Sequence, residues 1–290
     1  MDPRILDRLR CPVCGEPLAE ATAGTAGALR CPRRHSFDIA RQGYVNLLAG
    51  RAPHAGDSAE MVAARADFLA AGHYDLISAA LADAAALAVH QLGTTPPVDA
   101  YPLVVDAGAG TGRYLGAVLA ALPDAVGLAL DVSKPALRRA ARAHPRAAAA
   151  LADTWQRLPL ADASTSVLLN VFAPRNGAEF HRVLDPAGTL LVVTPAADHL
   201  AELVDALDLL RVDPDKADRV AGSLGGHFTA VGSAVHRAEL ALTRPEVATL
   251  VGMGPSAWHT DPAALATRLA ALPEPVRVTV AVRLDVQRPR

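Results

Sequence analysis

Leu103-Val104-Val105-Asp106-Ala107-Gly108-Ala109-Gly110-Thr111-Gly112 carries three kinds of local structure in one short run. Leu103 to Val105 is apolar and bounded, which reads as a buried strand. The strand runs into alternating glycines, and the amphipathic run Tyr114 to Leu122 that follows reads as a helix. A strand, a glycine-rich turn and a helix N-terminus together make a site for a nucleotide-like ligand. The glycines let the backbone approach the ligand and take positive φ.

The spacing narrows the ligand. A dinucleotide fingerprint reads G-x-G-x-x-G. Here Gly108, Gly110 and Gly112 give G-x-G-x-G, Arg113 stands at the third fingerprint position, and a Walker lysine is missing. An acidic residue, Asp106, leading G-x-G-x-G resembles motif I of the class I methyltransferases that use S-adenosylmethionine. The competing reading is a glycine-rich connector without a ligand.

Downstream, strands and helices alternate. Ala125–Leu130 ends in Asp131, Lys134–Ala143 is helical, Ala147–Leu151 leads to Asp153, Val167–Phe172 is a buried strand, Gly177–Val183 a short helix, and Gly188–Val193 a strand after the turn Asp185-Pro186-Ala187-Gly188. Val276–Leu284 alternates and predicts a further strand. This pattern predicts an α/β, Rossmann-like domain with a parallel sheet and ligands at the carboxyl ends of its strands. Asp131 follows the glycines by about 20 residues, where an acid reaches ribose hydroxyls; its alternative is a helix cap ahead of Ser133. Asp153 is placed to meet an adenine amino group.

Upstream, all three cysteines fall in the first 31 residues, as Cys11, Cys14 and Cys31, with His35 close behind. C-x2-C-x16-C-x3-H supplies four donors of the kind zinc takes in a tetrahedral, closed, structural site. Pro12 and Gly15 stiffen and turn the first knuckle. A redox pair or free thiols are the alternatives, although no βαβ pattern surrounds the first C-x-x-C. Phe37 to Leu48 looks like the last strands of this small module, and Gly50–Gly56, with Pro53, like a hinge. Asp57-Ser58-Ala59-Glu60 looks like a capping box opening a helix. Asp75–Leu92 reads as a second helix with Leu76, Ile77, Ala80, Leu81, Ala84 and Leu87 inward, and Gly93–Pro102 as a linker. The predicted organisation is a zinc-binding RNA-recognition module over 1–50, a helical lead-in and linker over 51–101, and a methyltransferase domain over 102–290.

A chain of 290 residues that is 51 % hydrophobic builds a real core. No apolar run is long enough to cross a bilayer, and Met1–Arg10 is no signal peptide, so a cytoplasmic protein without membrane partners is expected. The net charge of −2 does not announce a polyanion binder. Residues 1–51 nevertheless hold eight Arg against five acids, a balance of +3, and Lys134, Arg138, Arg139, Arg142 and Arg146 form a second basic cluster. Each cluster reads either as a solvated face or as a polyanion-binding surface.

An ordered set of motifs now adds up. Cys11, Cys14, Cys31 and His35 are followed by Phe37-Asp38, Gly43-Tyr44-Val45-Asn46-Leu47-Leu48, Gly56-Asp57-Ser58 with Glu60-Met61, and Gly72-His73-Tyr74. Motif I and Asp131-Val132-Ser133-Lys134 come next. Asn170-Val171-Phe172-Ala173-Pro174-Arg175-Asn176, Thr194-Pro195, Asp198-His199-Leu200 and Met253-Gly254-Pro255-Ser256-Ala257-Trp258-His259 complete it. The set spans nearly the whole chain and resembles the RlmA family of 23S ribosomal RNA guanine-N1 methyltransferases, most closely the tylosin-resistance branch of antibiotic producers. The resemblance implies a class I Rossmann-like fold, zinc and S-adenosylmethionine as cofactors, and a zinc module that helps recognise an rRNA hairpin lining the peptide exit tunnel near the macrolide site. It further implies a homodimer. Cofactor contacts implied by the resemblance fall on Tyr74, Gly110, Thr111 and His199, beside Asp106, Gly108, Asp131 and Asp153 from general logic of the fold.

Methyl transfer to guanine N1 needs proximity and orientation, an acceptor for the N1 proton and an unstacked base. Asn170 and Phe172 sit where motif IV holds the base, with core packing as the other reading of Phe172. Trp258 and His259 are candidates for stacking and proton transfer. Two rival functions stand beside this one: a small-molecule methyltransferase braced by zinc, and a non-catalytic zinc-dependent RNA-binding protein.

Overall fold

The computed structural model describes residues 1–23, 26–50, 56–92, 101–209, 222–254 and 261–290. A short helix α1 (Pro3–Leu6) precedes strands β1 (Ala19–Ala23), β2 (Ala26–Arg30) and β3 (Ser36–Asp38), which form an antiparallel three-stranded sheet. After strand β4 (Tyr44–Asn46) come helices α2 (Ala59–Ala70) and α3 (Asp75–Gln91). Ser58, not Asp57, caps α2: its side chain accepts the Met61 amide N–H at 3.2 Å, because the Asp57 carboxylate is taken by Arg65. Along α3 the expected inward face holds except at Leu87, which is exposed.

The alternating part runs β5 (Leu103–Ala107), α4 (Arg113–Ala121), β6 (Val126–Asp131), α5 (Lys134–Ala140), β7 (Ala147–Leu151), β8 (Thr165–Val171), α6 (Gly177–Val183), β9 (Leu184–Pro195) and α7 (Ala201–Leu207). It closes with β10 (Phe228–Leu242), α8 (Arg244–Gly252), α9 (Pro262–Ala271) and β11 (Val276–Pro289). The main sheet has the order β10-β11-β9-β8-β5-β6-β7-β4. Strands β4 to β9 within it pair in parallel, and β11 enters antiparallel between β9 and β10. Leaving β4 aside, this is the class I Rossmann-like methyltransferase fold. The strand order reverses between β5 and β8, and that switch point puts the ligand crevice at their carboxyl ends.

Alternation along the strands makes two cores, one per sheet face. Val104, Ala129 and Leu169 face α2, α3 and α4, together with Phe68, Leu81, Leu115 and Val118. Leu103, Val105, Leu128 and Leu130 face the other way. On that second face the crossover from β7 to β8, residues 152–164, carries no helix among the described residues. The small module fills the place. Ile5, Leu9, Leu18 and Leu29 are buried in the same core as Leu128, Leu160 and Phe180. A bridge from Leu9 to Leu160 and the Arg10 amide N–H donating to the Pro159 carbonyl at 3.0 Å fasten it. Each such buried side chain contributes about 1.5–3 kcal/mol of hydrophobic free energy before ordering costs. Strand β4, expected inside the module, is instead the outermost strand of the large sheet, with Val45 opposite Ala150 of β7.

Candidate functional site

Three carboxylates line up at the carboxyl ends of adjacent strands: Asp106 on β5, Asp131 on β6 and Asp153 just after β7. Asp106 is buried, and neither of its oxygens has a hydrogen-bond partner. Burial, and then the Asp131 charge, push its carboxyl up to about 8. Asp131 accepts the Gly110 amide at 2.8 Å through Oδ2 and the Ser133 amide at 2.7 Å through Oδ1. Burial still holds its carboxyl above the usual range, against the downward pull of those two amides. Asp153 accepts the Trp155 amide at 2.9 Å on Oδ1 and keeps Oδ2 buried without a partner. A buried carboxylate without a partner is costly, so this row fits a ligand that brings positive charge and N–H or O–H donors.

The turn between β5 and α4 is built to come close. Gly108 has φ +85°, and a Cβ there would lie 2.4 Å from the Ala173 Cβ. Gly110 and Gly112 are also left-handed, Gly112 as the cap of α4, and Thr111 lies half-buried between them. Above Gly110 lies a group the sequence reading does not single out. Arg65 of α2 pairs with Asp57 and donates to the Met253 carbonyl at 2.8 Å, with its Nη1 3.4 Å from where a Gly110 Cβ would stand. Ser133 Oγ donates to the Asp57 carbonyl at 2.8 Å, so residues 56–58 cover the rim beside Asp131. Nothing in the helical periodicity of α2 marks Arg65 as a site residue.

Across the crevice, Tyr74, Phe172 and His199 bring three rings together, with centroids 6.0–6.4 Å apart. His199 Nδ1 accepts the Ala281 amide N–H at 3.2 Å, which assigns the proton to Nε2, 3.3 Å from the Tyr74 hydroxyl. Phe172 has φ +52° and is 40 % exposed. Asn170 is fully buried and spends its Nδ2 on the carbonyls of Ala107 (3.2 Å) and Pro174 (2.8 Å), so it holds the turn that presents Phe172. Trp155, which no motif marks in the sequence, stands 55 % exposed two residues past Asp153. Trp258 and His259 lie outside the described residues.

Cys11, Cys14, Cys31 and His35 converge, with all ligand atoms within 4.8 Å of one another. Cys14 Sγ to Cys31 Sγ is 3.7 Å, and His35 Nδ1 lies 3.5 Å from Cys11 Sγ and 3.4 Å from Cys31 Sγ. A tetrahedron with zinc–sulfur bonds of about 2.3 Å and a zinc–nitrogen bond of about 2.1 Å has edges of about 3.8 and 3.6 Å. These three separations match such edges, three Cys and one His are a donor set that Zn²⁺ takes, and four protein ligands leave no open position. Of the second basic cluster, Arg146 drops out: its guanidinium is tied to the carbonyls of Leu119, Leu122 and Ala125, a structural role.

Known proteins place this site in context. The RlmA N-terminal zinc ribbon family model matches residues 9–52. A Micromonospora griseorubida protein assigned to the 23S rRNA (guanine-N(1)-)-methyltransferases is 70 % identical over 100 % of both chains. The 23S rRNA (guanine(748)-N(1))-methyltransferase of Streptomyces fradiae is 50 % identical over 100 % of this chain and 99 % of its own. YxjB of Bacillus subtilis, assigned likewise, is 33 % identical over 67 % of this chain and 66 % of its own. The zinc ribbon, the Rossmann-like sheet and full-length identity lead to one conclusion: the chain belongs to the RlmA family of 23S rRNA guanine-N1 methyltransferases.

Proposed function

We propose that this chain transfers the methyl group of S-adenosylmethionine to N1 of a guanine in 23S rRNA, the guanine numbered 748 in the name of the Streptomyces fradiae enzyme. The observation that carries this reading is the 50 % identity to that enzyme over the whole of this chain. The reading extends to a hairpin of the exit tunnel as substrate, a homodimer, a cytoplasmic enzyme and macrolide resistance. No helix among the described residues is long and apolar enough to cross a membrane.

S-adenosylmethionine supplies a methyl group on a positively charged sulfur, open to in-line attack. Asp131 would hold the ribose hydroxyls, Asp153 the adenine amino group, and the unpartnered Asp106 carboxylate the positive end of the donor. Gly108, Gly110 and Thr111 let the backbone approach it. Tyr74 and His199 close the opposite wall, with the His199 tautomer fixed by the Ala281 amide. The target guanine leaves its stack and lies against Phe172, which Asn170 positions through the two backbone carbonyls it holds. The guanine N1 would accept the methyl group and give up its proton to water, no side chain of the described crevice being placed as its base. Orientation supplies most of the acceleration. Cys11, Cys14, Cys31 and His35 hold Zn²⁺ as a structural ion.

Primer extension on 23S rRNA treated with the protein and S-adenosylmethionine tests the reading, because N1 methylation blocks Watson–Crick pairing. A new reverse-transcriptase stop beside the guanine is the expected result. No stop, with the cofactor still bound, rejects rRNA as the substrate.

A further inference from the structure

Most of the described arginines in this protein are engaged. Arg4, Arg65, Arg113, Arg182, Arg237, Arg268, Arg277 and Arg283 meet carboxylates. Arg146, Arg244 and Arg290 meet carbonyls. The exposed cations that make no ion pair or side-chain hydrogen bond among the described residues fall in two places. Arg30, Arg34 and Arg41 lie in the zinc module, and Lys134, Arg138, Arg139 and Arg142 lie on α5 and the turn after it.

These two groups adjoin. The turn before β4 abuts the end of α5, where a Cβ on Gly43 would lie 3.5 Å from the Ala141 Cβ. Arg41 stands two residues before that contact, and Arg142 directly after it. At the other end, Lys134 follows Ser133, whose amide is bound to Asp131 at the cofactor rim. Lys134 and Arg138 are four residues apart and share one side of the helix. Helix α5 carries no acidic residue, so its like charges repel without internal relief. The module adds a backbone cost of its own. Its first knuckle uses Gly15 at φ +77°, whereas its second uses Arg34 at φ +66°, a left-handed position that disfavours a side chain.

We propose that Arg41, Arg142, Arg138 and Lys134 form a continuous track for the phosphate backbone of the rRNA, leading from the zinc module along α5 to the rim of the methyl-transfer crevice. This rests on the proposed rRNA substrate and adds the surface that carries the RNA there. A flexible row of uncommitted cations suits phosphates, which position a nucleic acid without reading its bases.

The test uses the full-length zinc-loaded protein and protein-free 23S rRNA, with affinity measured across a salt series. Arg138→Gln with Arg142→Gln removes two exposed charges from the track. Arg268→Gln with Arg277→Gln removes two charges elsewhere and controls for net charge. Each lost phosphate contact lowers the slope of log affinity against log salt by about 0.7–0.9. The track variant is expected to lose about 1.5 in slope and at least tenfold in affinity at low salt, with S-adenosylmethionine affinity unchanged, while the control pair stays near wild type. An unchanged slope in the track variant, or an equal fall in the control, overturns the proposal. A wild-type protein that does not bind the rRNA at any salt overturns the substrate reading itself, and the track with it.

Discussion

At the scale of single residues, Asp106 is the most consequential group. Its carboxyl sits unpartnered in the core, pushed up to about 8 by burial and by Asp131. In the unfolded chain it ionises near its ordinary value of 3.8. Between those two values the native free protein holds the additional proton, so its stability falls as pH rises through that window. Asp106→Asn is expected to remove that part of the pH dependence, seen as a smaller loss of Tm between about pH 5 and 8. A positively charged donor binds the ionised form. Affinity for S-adenosylmethionine is therefore expected to rise by up to about tenfold per pH unit below that value and to level off above it. In Asp106→Asn the binding is weak and flat with pH. Titration calorimetry at about pH 6.5, 7.5 and 8.5 reads both outcomes; a wild-type affinity independent of pH would remove Asp106 from the binding step.

Among the elements, the strand–turn–helix unit of β5 and α4 and the cysteine spacing were legible in the sequence because each is local: every residue that matters lies within one window. Gly108 is the sharpest case, and its role is testable. A methyl group there meets Ala173 and a left-handed backbone at once, so Gly108→Ala is expected to cost about 1–3 kcal/mol in stability. The same change should move the Phe172 turn and weaken cofactor binding at least tenfold, measured by calorimetry beside a denaturant titration. What escaped the sequence is non-local. The three residues of β4 alternate too briefly to declare a partner, and β7 lies far along the chain. Arg65 and Trp155 lack any periodic or motif signal; only the folded chain carries them to Gly110 and past Asp153. Leu87 follows the apolar period of α3 faithfully and is nonetheless exposed, because periodicity predicts a face but not how far the neighbouring layer extends. Arg146 matches its basic neighbours in sequence, and only the fold brings the carbonyls of Leu119, Leu122 and Ala125 to it.

For the whole molecule, the zinc ribbon is part of the catalytic core. It stands where a crossover helix is missing, and it contributes an edge strand to the main sheet. Chelating the metal, or replacing Cys31 with Ser, is expected to lower metal content from one ion per chain and to lower Tm. Hydrogen exchange separates an integral module from an appended one. Protection is expected to fall in β6 and β7 as well as over residues 1–50. Loss confined to residues 1–50 would mean that the module folds and melts alone.

The position of β4 also sets an order of events during translation. Val45 emerges early, and its partner Ala150 follows 105 residues later. At about 5–20 residues per second the wait is about five to twenty seconds. Through that interval the nascent ribbon, already able to close around its metal, holds Ile5, Leu9, Leu29 and an unpaired strand edge with nothing to cover them. Its own synthesis is thus the period when this protein is most open to mispairing, and slower elongation lengthens it.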